Sequence, residues 1–131
     1  MFSDLIVEFI GDGNFKLYAP LTYESKAFFI TAHIGFITDG ASIPPALYGV
    51  IGCPFGEAYT KAAIIHDALY RSALLSRKMS DYIFLEAMLS LGVERAKARA
   101  MYLAVRAGGE SSYRPENVVN ARMFVEIQPK G

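Results

Sequence analysis

Ten residues in the middle of the chain, Ala62-Ala63-Ile64-Ile65-His66-Asp67-Ala68-Leu69-Tyr70-Arg71, constrain the fold more than any other stretch. Alanine, isoleucine and leucine on both sides of an adjacent histidine and aspartate predict a helix buried over most of its circumference. His66 and Asp67 would then reach inward or line a cleft. A carboxylate in such surroundings needs a cation, a metal or several hydrogen-bond donors. Neighbouring helical residues project about 100° apart, so the two side chains can flank one site from two sides but cannot easily share one partner. One turn earlier, Ala62 and Ala63 leave room for a ligand or another backbone. One turn later, Tyr70 falls on the His66 face and offers a hydroxyl. The competing interpretation is plain. Asp67 and Arg71 stand at i and i+4, a surface pair worth only about 0.3–0.5 kcal/mol, and His66 becomes a satisfied core histidine. On this helix alone the two are evenly matched.

The chain has 131 residues, which fits one domain with a hydrophobic core. Thirteen Lys and Arg balance thirteen Asp and Glu, the pI is near 6.7, and no basic run occurs. A nucleic-acid partner is therefore not expected. No segment approaches the ~18 uninterrupted apolar residues of a transmembrane helix. Met1-Phe2-Ser3-Asp4 lacks the basic start of a secretory signal, which implies synthesis in the cytoplasm. Cys53 is the single cysteine, so neither an intrachain disulfide nor a zinc site built on several thiolates is available. Packing must supply the stability, and nine Phe and eight Tyr provide large apolar bodies for it.

An α+β fold is predicted: a small antiparallel N-terminal sheet, joined by a C-terminal strand, packed on three main helices. Residues 5–10 and 15–18 are rich in β-branched and aromatic types and flank Gly11-Asp12-Gly13-Asn14, a hairpin pattern. Pro20 ends the second strand or puts it at an edge, and residues 26–33 give a third. His33, late in that strand, reads as structural. A short helix is expected over residues 45–50, a long one over about 57–76, a second over 82–91 led by Ser80-Asp81, and a third over about 93–107. The third should end where Gly108-Gly109 turns left-handed. Residues 118–128 alternate in polarity and should return as a strand.

Two further places carry candidate chemistry. Asp39-Gly40 allows a tight turn with exposed carbonyls beside a carboxylate, the donor set of a hard cation such as Ca²⁺, although an ordinary Asp-Gly turn is the commoner use of that dipeptide. Asp81, Phe84, Leu85 and Met88 follow i, i+3, i+4 and i+7, so Asp81 lies on an apolar stripe. A simpler role for it is to oppose the helix macrodipole near the N-terminus, worth ~0.3–1 kcal/mol.

Three blocks, Gly35-Phe36-Ile37-Thr38-Asp39-Gly40-Ala41-Ser42-Ile43-Pro44, Ala63-Ile64-Ile65-His66-Asp67-Ala68-Leu69-Tyr70 and Ser80-Asp81-Tyr82-Ile83-Phe84-Leu85-Glu86-Ala87-Met88, resemble an uncharacterised family of phage and prophage proteins, DUF1353. The likeness spans about residues 15 to 109. It implies a phage origin, with synthesis in a bacterial host, more than a chemistry, and leaves virion association open.

A more distant similarity does imply chemistry. The order Asp-Gly-x-Ser-x-x-Pro, His-Asp-x-x-Tyr, Asp-x-x-Phe is similar to that of the bacterial and fungal phospholipase A2 group. By that resemblance His66 is the general base, Asp67 and Asp39 with the Gly40 carbonyl hold Ca²⁺, Asp81 fixes the far nitrogen of His66, and Tyr70 is the aromatic partner of the dyad. The implied substrate is a phospholipid or another ester. The disulfides of that group are absent here, the Asp39–Asp67 connection is longer and the His66–Asp81 connection shorter. Two alternatives stand beside this expectation: a metal-dependent hydrolase acting on another bond, such as one in the cell wall, and a non-catalytic virion or tail component or host-protein-binding factor.

Overall fold

The computed structural model describes residues 2–11, 14–38, 57–110, 113 and 119–131. Its elements in chain order are β1 (Val7–Gly11), β2 (Asn14–Leu17), β3 (Leu21–Glu24), β4 (Phe28–Ala32), β5 (Ile37–Thr38), α1 (Glu57–Ser72), α2 (Arg77–Ser90), α3 (Arg95–Gly108), α4 (Val119–Arg122) and β6 (Val125–Pro129). The class is α+β, with three long helices. The expected short helix over residues 45–50 and the Asp39-Gly40 turn lie outside the described residues.

The strands divide between two antiparallel sheets, ordered β1-β2-β5 and β3-β4-β6. The N-terminal hairpin is present, with Val7 opposite Leu17. The C-terminal strand pairs along the whole of β4, from Phe28 opposite Pro129 to Ala32 opposite Val125. Before β6 the chain makes the short helix α4, so residues 119–122, expected in the strand, are helical instead. Arg122 explains the turn's position: its Nε donates to the Ser72 carbonyl at 2.8 Å, at the C-terminus of α1, where carbonyls lack helical partners.

Helix α1 is the centre of the core. Ala62 to His66 and Ala68 to Tyr70 are all buried, and only Asp67 and the residues flanking that strip reach solvent. It packs on α2 and against β3, β4 and β6, while α3 packs on α2. Ile64, Ile65 and Leu69 are fully buried, each contributing about 1.5–3 kcal/mol relative to an exposed side chain. Glu86 of α2 ties the helix to the sheet, accepting the buried Tyr23 hydroxyl at 3.0 Å and the Lys26 amide of the β3–β4 turn at 3.2 Å.

Helix α2 starts earlier than its apolar stripe implies. Ser76 is the N-cap, its side chain accepting from the Met79 amide at 3.1 Å, and Ser80 instead bonds back to the Ser76 carbonyl. Asp81 therefore sits in the second turn, too far inside to serve the macrodipole of the first. Glycine usage is also redistributed. The left-handed residue is Gly92 (φ +86°), closing α2 with the Val93 amide on the Met88 carbonyl. Gly109, at the end of α3, has φ −83°, so the expected left-handed end there is absent.

Candidate functional site

One carboxylate draws the three long helices together. His66 and Tyr70, four residues apart on α1, present one face. Asp81 meets them from α2, its Oδ1 lying 2.7 Å from His66 Nε2 and accepting the Tyr70 hydroxyl at 2.5 Å. Its Oδ2 accepts Arg106 Nη1, from the last turn of α3, at 2.8 Å, with Arg77 Nη1 4.0 Å away. Arg77 is steered there by the Arg106 carbonyl, which accepts its Nη2 at 2.6 Å. Asp81 is 0% exposed and His66 2%.

Burial on its own drives the Asp81 carboxyl toward the neutral acid, but hydrogen bonds from His66, Tyr70 and Arg106 overcome it and hold the group below its usual pKa. Burial, followed by the adjacent carboxylate, pushes the Tyr70 hydroxyl well above its ordinary value, so it remains a donor. The consequence for stability has a definite sign. A depressed carboxylate stabilises the fold above its unfolded pKa near 3.8, and that contribution is lost as pH falls through the lower folded value. Urea midpoints should therefore drop below about pH 4 in the parent chain and drop less steeply in Asp81→Asn. Parallel acid limbs in the two proteins would remove Asp81 as the cause.

An ionised carboxylate only accepts, so His66 Nε2 carries a proton and Nδ1 is the nitrogen left for other chemistry. The ring is held by Phe84, stacked at 4.5 Å, and by Tyr70 at 4.2 Å. Nδ1 is buried, and among the described residues no group hydrogen-bonds to it. This is an oriented imidazole with its second nitrogen turned away from the carboxylate, the placement a general base requires.

Gly109 guards this arrangement. A Cβ there would lie 2.5 Å from the Val105 carbonyl oxygen and 2.7 Å from the Tyr70 hydroxyl. Gly109→Ala should destabilise by about 1–3 kcal/mol through overpacking and displace Tyr70 from Asp81. Thermal melts and the exchange rate of the Tyr70 hydroxyl proton report the two effects. A melt like the parent's would show that the contact relaxes freely.

The residues expected from sequence separate into two groups. His66, Tyr70 and Asp81 meet. Asp67 projects about 100° away, its side chain 17% exposed and its Oδ1 accepting Arg71 Nε at 2.9 Å. Among the described residues no three His, Cys, Asp or Glu side chains cluster as a metal site, and Asp39 and Gly40 lie outside those residues. Asp67 is thus the one member of the expected calcium set that falls among the described residues, and there it pairs with Arg71. Arg77 and Arg106 were not expected. A carboxylate on an apolar stripe demands a cation, and Arg77 at i−4 was readable by that rule, whereas Arg106 becomes a neighbour only once α3 folds back on α2.

DUF1353, a family of proteins of unknown function, matches residues 15–105, a span that includes His66, Tyr70 and Asp81 and stops just before Arg106. The uncharacterized protein y4iH of Sinorhizobium fredii (strain NBRC 101917 / NGR234) is 40% identical over 72 residues, 55% of this chain and 30% of its own length. The uncharacterized protein y4jT of the same organism is 35% identical over 96 residues, 73% of this chain and 27% of its own length. The aligned part is thus under a third of either relative. No solved structure matches. Because the family match covers most of its length, the chain belongs to the DUF1353 family.

Proposed function

We propose that the chain is a hydrolase in which His66 takes a proton from water. The supporting observation is a buried imidazole whose Nε2 is fixed by Asp81 and whose Nδ1 has no hydrogen-bond partner among the described residues. Water would transfer its proton to Nδ1 while its oxygen attacks an ester carbonyl carbon. As the tetrahedral intermediate collapses, the proton passes from Nδ1 to the departing alkoxide, leaving acid, alcohol and neutral histidine. Asp81, kept ionised by Tyr70 and Arg106, steadies the imidazolium formed in between. A phospholipid or other ester as substrate, and Ca²⁺ held by Asp67 with Asp39 and Gly40, come from the similarity to phospholipase A2. When bound, such an ion would polarise the ester carbonyl.

A second reading is favoured by burial. With His66 2% and Asp81 0% exposed, the same network can serve as a tie between helices in a non-catalytic protein, such as a virion component or a host-protein-binding factor of a phage. Among the described residues no helix is long and apolar enough to cross a membrane, which fits either reading. An unbiased lipid and ester hydrolysis screen, with and without Ca²⁺ and with His66→Ala as the blank, separates them. Equal signals from parent and variant would discard the hydrolase.

A further inference from the structure

Helix α3 carries a second, outward-facing pattern that its packing does not explain. Ala98, Met101 and Val105 are its buried stripe. At about 100° per residue, Ala96, Leu103 and Ala107 fall within ~40° of one another on the opposite side, and all three are exposed, Leu103 by 58%. This apolar ridge is flanked by Arg95 and Arg99 on one side and Lys97 on the other. The helix contains four basic residues and no acid, although the whole chain is neutral.

The position of these charges is costly. Arg95 and Lys97 occupy the first turn, where positive charge opposes the helix dipole, and the acid at that end is the N-cap Glu94, whose side chain makes no capping hydrogen bond. Among the described residues Arg95, Lys97 and Arg99 form no ion pair. The adjoining face of α2 continues the pattern, with Tyr82 and Leu89 exposed by 49% and 41% and Tyr82 lining a groove with Tyr102. Cations that form no ion pair among the described residues, set around an exposed apolar ridge, are complementary to a surface that is anionic outside and apolar beneath.

We infer that the outer face of α2 and α3 seats on an anionic lipid bilayer, with Leu103 entering the headgroup boundary and Arg95, Lys97 and Arg99 meeting lipid phosphates. A nucleic acid would satisfy the arginines but would leave the Ala96-Leu103-Ala107 ridge without an apolar counterpart. The inference does not rest on the hydrolytic reading. Binding without release of fatty acid would keep this one and remove these phospholipids as substrates of the other.

Co-sedimentation of the full chain with vesicles tests it, comparing phosphatidylglycerol mixed into phosphatidylcholine with phosphatidylcholine alone, at low and high salt. Binding should require the anionic lipid and weaken with salt. Each basic residue near such a surface is worth roughly a fivefold change in affinity, so Arg95→Gln with Arg99→Gln should weaken binding roughly 25-fold. Leu103→Ser, at an exposed position, should also weaken binding while melting like the parent. Equal binding to both vesicle types, no binding to either, or full binding by the double variant would overturn the inference. A DNA duplex bound more tightly than the anionic vesicles, and lost in the same variant, would overturn it in favour of nucleic acid.

Discussion

Asp81→Ala should lower the stability of the fold by about 3–5 kcal/mol, the range for removing one partner from a buried charged network. The size follows from what remains. His66 Nε2–H and the Tyr70 hydroxyl both lose their acceptor in a fully buried setting, and Arg106 loses the carboxylate that raises its own affinity for a proton. Each buried neutral donor left unsatisfied costs about 1–3 kcal/mol. In a chain of this length the melting midpoint should fall by on the order of 10–20 °C. Asp81→Asn should fall in between, since its carbonyl oxygen can still accept from His66 or Tyr70 while its NH₂ group faces the donors of Arg106. Asp81→Leu tests whether charge or packing dominates: a loss smaller than that of alanine would mean that filling the space offsets part of the missing network. Urea and thermal melts give all three numbers, and a loss under about 1 kcal/mol for alanine would show that the network is not a tie at all.

Much of this centre was legible because it is local. His66 and Tyr70 are related by one helical turn, and Asp81 declares itself by interrupting an apolar stripe at i, i+3, i+4 and i+7, so both faces could be drawn before either helix was placed. Their meeting follows from burial, since each polar group needed a partner and the other was available. Arg106 had no such local mark. Nothing in its own helix separates it from Arg95 or Arg99, and only the antiparallel return of α3 brings it to Asp81.

The sheets show the same division between local and distant causes. Strand β3 does alternate buried Leu21 and Tyr23 with exposed Thr22 and Glu24, but four residues after a proline give too short a period to stand out. The split into two sheets depends on β2 choosing β5 and β4 choosing β6, pairings that no strand's own periodicity encodes. Gly109 illustrates a misread cause: its conformation is ordinary, and glycine is needed there because a Cβ would strike Val105 and Tyr70, not because the chain turns left-handed.

If the screen finds a substrate, His66→Ala should reduce its hydrolysis by roughly 100- to 10,000-fold, the contribution of a positioned general base. Interpretation depends on keeping rate and fold apart. The variant also loses the stacking on Phe84 and the bond to Asp81, and truncating a large buried side chain to alanine commonly costs about 2–5 kcal/mol. Rates should therefore be taken well below the variant's own melting midpoint, with circular dichroism showing that the helices persist. His66→Gln supplies the complementary control, because its amide can still donate to Asp81 but offers no basic nitrogen at pH 7. A base predicts that glutamine recovers stability without recovering activity. A tie predicts that it recovers stability in a protein whose parent shows no hydrolysis to lose. The two histidine variants thus assign the dyad: a rate lost in both, with stability restored in one, belongs only to a hydrolase.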